Sequence, residues 1–428
     1  MLGTAVVLLL VLLAASVPVA AVLGVLGLAM NKLYSVMPLH LAMGEVIWGA
    51  SAEYVLIAIP LFVMLGEILL RSGIASRVYA AIAQWLSWLP GGLMHANIGT
   101  CTLFAATSGS SVATAATVGT VAMPEIKRRD YDERLFLGTL AAGGTLGILI
   151  PPSINLILYG LLTNTSVPRL YLAGFLPGFM LAGMFALVVL VVCLIRPRMG
   201  GRPIETTWRE RIRLLPDLLP PLFIFFVVVG SIYAGFATPT EAASLGVVAA
   251  FALAAWEGKL NIALIKAVLE GTMRTTAMIL LIILAAQFLN FVLGAIGIAD
   301  GIVKAIESLA LGKLGTMLLI VAFYLVLGCF METISMMILT TPFIVPIVLG
   351  LGYDPVWWGI VLTVLIEAAL ITPPIGLNLY VVQGIRERGT IGDVIMGSLP
   401  FVVAMFVLII MLIAVPDIAL WLPRLIMG

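Results

Sequence analysis

Two proline pairs, Pro151-Pro152 and Pro373-Pro374, stand inside apolar runs long enough to cross a bilayer. A proline at position i has no N–H to give to the carbonyl of residue i−4. Pro151 therefore deprives the carbonyl of Gly147 of its helical donor, and Pro152 that of Ile148. In hydrocarbon an unpaired carbonyl costs several kcal/mol, so such a break persists only where protein buries it or where it lines a polar cavity. Free carbonyl oxygens at the C-terminal end of a half-helix suit a hard cation, through their lone pairs and through the helix dipole. Hydroxyls are at hand in Thr107-Ser108-Gly109-Ser110-Ser111-Val112-Ala113-Thr114, a run too small and polar for an ordinary lipid-facing helix. The pattern predicts one cation site at Ser108, Gly147, Ile150 and Pro152, several of them contributing backbone oxygens. Close helix packing by small residues is the plain alternative for the serines; the proline break favours ligation.

The break recurs 222 positions later. Ala369 stands where Gly147 does, and Asn378 answers to Asn155 with a displacement of one residue. Matched helix breaks in the two halves of a membrane protein point to a transporter's binding site. The repeat predicts a second cation site at Gly328, Ala369, Thr372 and Ile375, with the Thr372 hydroxyl available. No ATP-binding motif is present.

The elements that must position these residues are membrane helices. Of 428 residues, 62% are hydrophobic and 10% charged, far from the composition of a soluble domain. Apolar runs rather than alternating strands make the chain an all-α integral membrane protein. A net charge of +1 argues against nucleic acid as a partner. Cys101, Cys193 and Cys329 lie in apolar context without metal-ligand spacing, and His40 and His95 make no metal cluster. With no Ser/His/Asp set and no His-x-x-x-His, catalysis is not expected. Residues 5–15 read as a first membrane helix rather than a cleaved signal, because no basic segment precedes them.

Along the chain, apolar segments at 4–16 and 18–34 are followed by a mixed stretch at 35–55, a span at 57–70 and an amphipathic stretch at 72–90 carrying Trp85 and Trp88. A helical hairpin entering the membrane part-way is expected at about 96–123, a charged loop at 124–134, and the first broken helix at about 135–162. Residues 1–195 form the first repeat. A basic linker follows at 196–214, with six arginines against two glutamates in 196–213. The second repeat, 215–428, contains an opening pair at 225–235 and 239–256, an interfacial arm at 258–274, a span at 276–295, a hairpin at about 313–345 and a broken helix at about 356–383. The loop at 124–134 holds Lys127, Arg128, Arg129 and Arg134, whereas its counterpart at 346–358 has no basic residue. Positive residues stay cytoplasmic, so equivalent loops lie on opposite sides and the repeats are inverted.

At this point the motifs resemble a known family. Ser-Gly-Ser-Ser-Val-Ala-Thr-Ala-Ala-Thr at 108–117, Gly-x-Leu-Ile-Pro-Pro-Ser at 147–153, Ala-Thr-Pro-Thr-Glu-Ala-Ala at 237–243 and Thr-Pro-Pro-Ile-Gly-Leu-Asn at 372–378 look like the large membrane (M) subunit of tripartite ATP-independent periplasmic (TRAP) transporters, of the ion-transporter superfamily. The resemblance runs from end to end. It implies an elevator-type protein of the bacterial inner membrane, in which two hairpins and two broken helices slide with their cargo against a scaffold. It implies coupling to sodium with two Na+ sites, no organic cofactor, and uptake of an organic acid, such as a C4-dicarboxylate or sialic acid, delivered by a periplasmic binding protein. It implies a separate small four-helix (Q) subunit, because the chain starts directly at the large one. The alternative is a self-sufficient sodium- or proton-coupled organic-anion carrier that needs no binding protein.

The anionic substrate is expected between the hairpin tips and the broken helices, where half-helix N-termini direct partial positive charge at a carboxylate. Candidates are Ser110, Ser111, Asn155, Thr333 and Asn378; each asparagine serves equally well to tie down a broken helix. No arginine sits in this constellation. Glu332 and Glu367 are the intramembrane acids, and a helix–helix hydrogen bond is the expected role of Glu367. Glu67 and Glu241 are expected to bond within the scaffold, and Arg209, Arg211 and Arg213 beside Trp208 to lie on anionic membrane lipid.

Overall fold

The fold is that of a computed structural model, in which residues 1–15, 17–297, 301, 311–328, 331, 333–373, 376–386 and 388–428 are described. It is all-helical, and the described residues contain no strand beyond an isolated bridge between Tyr131 and Gly200. In chain order the helices are α1 (Leu2–Ala14), α2 (Val19–Tyr34), α3 (Met43–Ser51), α4 (Ala58–Arg71), α5 (Ile74–Leu86), α6 (Leu93–Ser108), α7 (Ser111–Arg128), α8 (Glu133–Leu149), α9 (Ile154–Thr163) and α10 (Val167–Ile195). The second half continues with α11 (Trp208–Leu214), α12 (Leu219–Tyr233), α13 (Pro239–Trp256), α14 (Ile262–Ala295), α15 (Gly312–Gly328), α16 (Thr333–Gly350), α17 (Pro355–Leu370), α18 (Leu377–Ile385), α19 (Ile391–Ala414) and α20 (Asp417–Met427). Seven described helical segments are long and apolar enough to cross a membrane, and eight if the bent pair α8 and α9 counts as one span.

Local chemistry sets the helix starts. Asp132 accepts from the Leu135 N–H at 2.9 Å to open α8, and Asp354 accepts from Val356 at 2.7 Å to open α17, 222 positions later. The bounds of α7 and α16 are also 222 apart at both ends. The core lies in α8 and α17, buried from Leu135 to Leu149 and from Val356 to Leu370. Helices apolar on every side belong at the centre of a bundle. Glycine allows α19 to lie directly against α8, since a Cβ at Gly138 or Gly397 would overlap the backbone opposite.

Three elements differ from the sequence expectation. The hairpin helices, 93–108 with 111–128 and 312–328 with 333–350, reach beyond the expected bounds of 96–123 and 313–345. The α7 helix passes Pro124 because Glu125 pairs with Arg128 at 3.1 Å and Arg129 at 2.7 Å, holding its last turn together. The arm at 258–274 and the span at 276–295 are one 34-residue helix, α14. No proline interrupts it, and its glycine at 271 packs against the Glu67 carboxylate of α4.

Candidate cation and substrate site

The chain turns at 41° between α8 and α9. Pro151 and Pro152, joined by a cis peptide bond, occupy the break with Ile150 and Ser153. Ser153 resolves half of the backbone problem. Its hydroxyl donates to the carbonyl of Ile148, the oxygen that Pro152 deprives, and accepts from the Leu156 N–H at 3.3 Å as the cap of α9. The carbonyl of Gly147 receives no such donor in the described hydrogen bonds.

The first hairpin tip is seated in this break. Gly109 adopts φ +60, and a Cβ there would stand 3.1 Å from the Pro152 carbonyl oxygen. A Cβ on Gly147 would stand 2.7 Å from the Ser110 carbonyl oxygen and 3.1 Å from the Thr114 hydroxyl. Both glycines are therefore required by close approach, and Gly109 by its backbone conformation as well. The Ser110 carbonyl, which accepts from the Thr114 hydroxyl at 2.7 Å, thus lies against Gly147, and the Pro152 carbonyl against Gly109. Ile150, expected as a ligand, caps α8 and packs against Gly178 of α10, while Gly174 approaches the Leu149 carbonyl. Ser108 ends α6; its side chain lies outside the described part of the structure.

At the second break, Gly328 closes α15 directly against Ala369, where a Cβ would overlap the alanine methyl. The Thr372 hydroxyl donates to the Ala368 carbonyl at 2.6 Å, which fixes its orientation and leaves its lone pairs to accept. Ile375 and Glu332 lie outside the described residues. Of the residues chosen for a second cation site, Gly328, Ala369 and Thr372 are thus near one another in the fold or along the chain, and Ile375 carries no structural statement.

The family described as "Tripartite ATP-independent periplasmic transporter, DctM component" matches residues 6–418. The chain belongs to this family. It is 32% identical over 399 residues to the C4-dicarboxylate TRAP transporter large permease protein DctM of Vibrio cholerae, covering 88% of this chain and 87% of that one. It is 28% identical over 418 residues to the sialic acid TRAP transporter large permease protein SiaM of the same organism, covering 97% of each. In fold it is similar to the Alcanivorax borkumensis YdaH transporter, with a TM-score of 0.68 at 15% identity over 96% of this chain and 98% of that one. A DctM-family chain is a multi-pass component of the bacterial inner membrane with a role in transport rather than catalysis.

Within this DctM-family fold the substrate candidates divide. Asn378 is fully buried and donates to the Ala141 carbonyl of α8 at 3.2 Å, tying one broken helix to the other. Its Oδ1 has no hydrogen-bond partner among the described residues. Asn155 is buried on α9, and its Nδ2 is unpartnered on the same terms. Ser110 caps α7, accepting from Ala113 at 3.4 Å, Ser111 is buried beside it, and Thr333 is buried at the start of α16. The halves interlock: α9 packs on α16 and α18 on α7. Glu367 is fully buried, and neither carboxyl oxygen is hydrogen-bonded among the described residues. Its polar neighbour is the backbone of Leu149 at the end of α8, so the contact expected of it runs from α17 to the first break. Glu67 pairs with Arg71 at 2.8 Å, and Glu241 forms a capping box with Thr238.

Sequence reasoning missed three contributors. Ser153 was marked only by following two prolines. Tyr159 donates to the Pro355 carbonyl at 2.7 Å, joining the end of α9 to the start of α17. Arg386, with its side chain 7% exposed, bonds Glu133 at 2.9 Å and Asp393 at 3.2 Å, joining the end of α18 to the start of α8. The Tyr159–Pro355 and Arg386–Glu133 contacts link residues 196 and 253 positions apart, and neither has a local signal.

Proposed function

We propose that this chain is the sodium-coupled large permease of a TRAP transporter that takes up a small organic acid by an elevator mechanism. The seating of the Gly109–Ser110 tip against the Pro151-Pro152 break carries the reading, because it brings the Ser110 and Pro152 carbonyls to a break where proline has freed a helix carbonyl. Sodium, a hard cation, suits such an all-oxygen set without a resident carboxylate. Bound there, it would join the tip to the broken helix, so that occupancy decides whether hairpin and helix move as one body. The second site is at Gly328, Ala369 and Thr372, related to the first by the inverted repeat that the 222-residue spacing of helix bounds supports. Substrate lies near the unpartnered amide N–H group of Asn155, with Asn378 close by as the tie between the broken helices. The names of the relatives favour a C4-dicarboxylate or sialic-acid-like cargo, and the tripartite family description favours a periplasmic binding protein and a small membrane subunit as partners.

The test is uptake into proteoliposomes holding this chain and its small partner, with an imposed sodium gradient, with and without the cognate binding protein. Uptake that requires both supports the reading. Uptake with sodium but no binding protein makes the protein a self-sufficient carrier, and indifference to sodium returns the serine-rich tip to simple packing.

A further inference from the structure

The basic linker builds a second feature, remote from the helix breaks. The α11 helix opens with a capping box in which Thr207 and Glu210 bond each other's backbone, so this glutamate is already engaged. Trp208, Ile212, Leu215 and Leu219 recur at helical spacing and are 69%, 61%, 42% and 61% exposed. Such a stripe needs an apolar neighbour. The Arg211 guanidinium lies over the Trp208 ring, 5.2 Å from its centroid. Trp85 of α5 meets Trp208 edge-on at 6.2 Å and donates its indole N–H to the Arg211 carbonyl at 3.1 Å, fixing the stack in place. The Nε of Arg211 is buried and has no acceptor among the described residues. No carboxylate stands within ion-pair distance of Arg196, Arg198, Arg209, Arg211 or Arg213 among the described residues.

We infer that Trp208–Leu214, braced by Trp85, is a docking site for the headgroup of an anionic phospholipid, with Arg209 and Arg213, neighbours on one helix face, on the phosphodiester, Arg211 bordering the stripe from its other flank, and the acyl chains along the apolar stripe. Charge complementarity selects this occupant: the apolar stripe is bordered by Arg209 and Arg213 on one flank and by Arg211 on the other, none ion-paired among the described residues, and it leads into the membrane-crossing α12. A neutral partner helix would leave the arginines without acceptors, and a free phosphate would leave the stripe in water. The rule that basic segments stay cytoplasmic assigns the patch to the inner leaflet; binding in detergent does not depend on it.

The experiment uses the full chain, purified in neutral detergent and titrated with dioleoylphosphatidylglycerol, dioleoylphosphatidylcholine or inorganic phosphate, with retained lipid counted by native mass spectrometry. Each arginine near an anionic surface contributes roughly five-fold to binding. Phosphatidylglycerol should be retained at least ten-fold better than phosphatidylcholine, and the triple variant Arg209→Gln/Arg211→Gln/Arg213→Gln should lose that preference. The double variant Arg196→Gln/Arg198→Gln, which removes linker charge elsewhere, should keep most of it and serves as the folding control. Equal retention in the triple variant, equal loss in both variants, or displacement of the lipid by millimolar phosphate would each overturn the assignment.

Discussion

Replacing Gly147 with alanine tests whether the seating of the first hairpin tip is linked to sodium. The added Cβ would stand 2.7 Å from the Ser110 carbonyl oxygen and 2.9 Å from its carbon, both backbone atoms that cannot rotate away. Ordinary contact begins at 3.4 Å, so the tip must retreat from the break by about 0.7 Å. Overpacking of this kind costs about 1–3 kcal/mol. If sodium binds only to the seated tip, the strain is charged against sodium binding, and half-saturation rises roughly 5- to 150-fold. The assay is sodium-dependent uptake in proteoliposomes, with Gly183→Ala as control, because a Cβ at Gly183 in α10 meets nothing within 4 Å. The control should match the parent protein. A folded Gly147→Ala protein with the parent's sodium half-saturation would refute the linkage between tip seating and cation binding.

Two further outcomes follow from the same contacts. Ser153→Ala removes both the donor to the Ile148 carbonyl and the cap of α9, and should lower stability by about 1–3 kcal/mol in thermal unfolding, with Ser153→Thr largely restoring it. Arg386→Gln leaves Glu133 and Asp393 without their shared cation; because both acids keep solvent contact, the loss should be about 1–2 kcal/mol, and a denaturation midpoint equal to the parent's would show that the clasp contributes nothing.

Much of this protein is written locally. Pro151 and Pro152 free two helix carbonyls whatever surrounds them, because the missing N–H is a property of the residue itself. The Asp132 and Asp354 caps follow from side-chain reach over two or three residues, and the small, hydroxyl-rich run at 107–114 bars an ordinary lipid-facing helix. Composition fixes the membrane class, since so apolar a chain has no other way to satisfy its backbone. What no local rule contains is which distant surface each element meets. Ser110 sits on Gly147, Asn378 reaches Ala141, and Arg386 holds Glu133 only because the bundle brings segments together that lie 37, 237 and 253 positions apart. The continuity of α14 is of the same kind: its first part has the composition of an interfacial arm, and packing against α2, α3 and α4 makes it one helix. Freed carbonyls are decided by single residues; what meets them is decided by close approach, which glycine permits and only the folded bundle imposes.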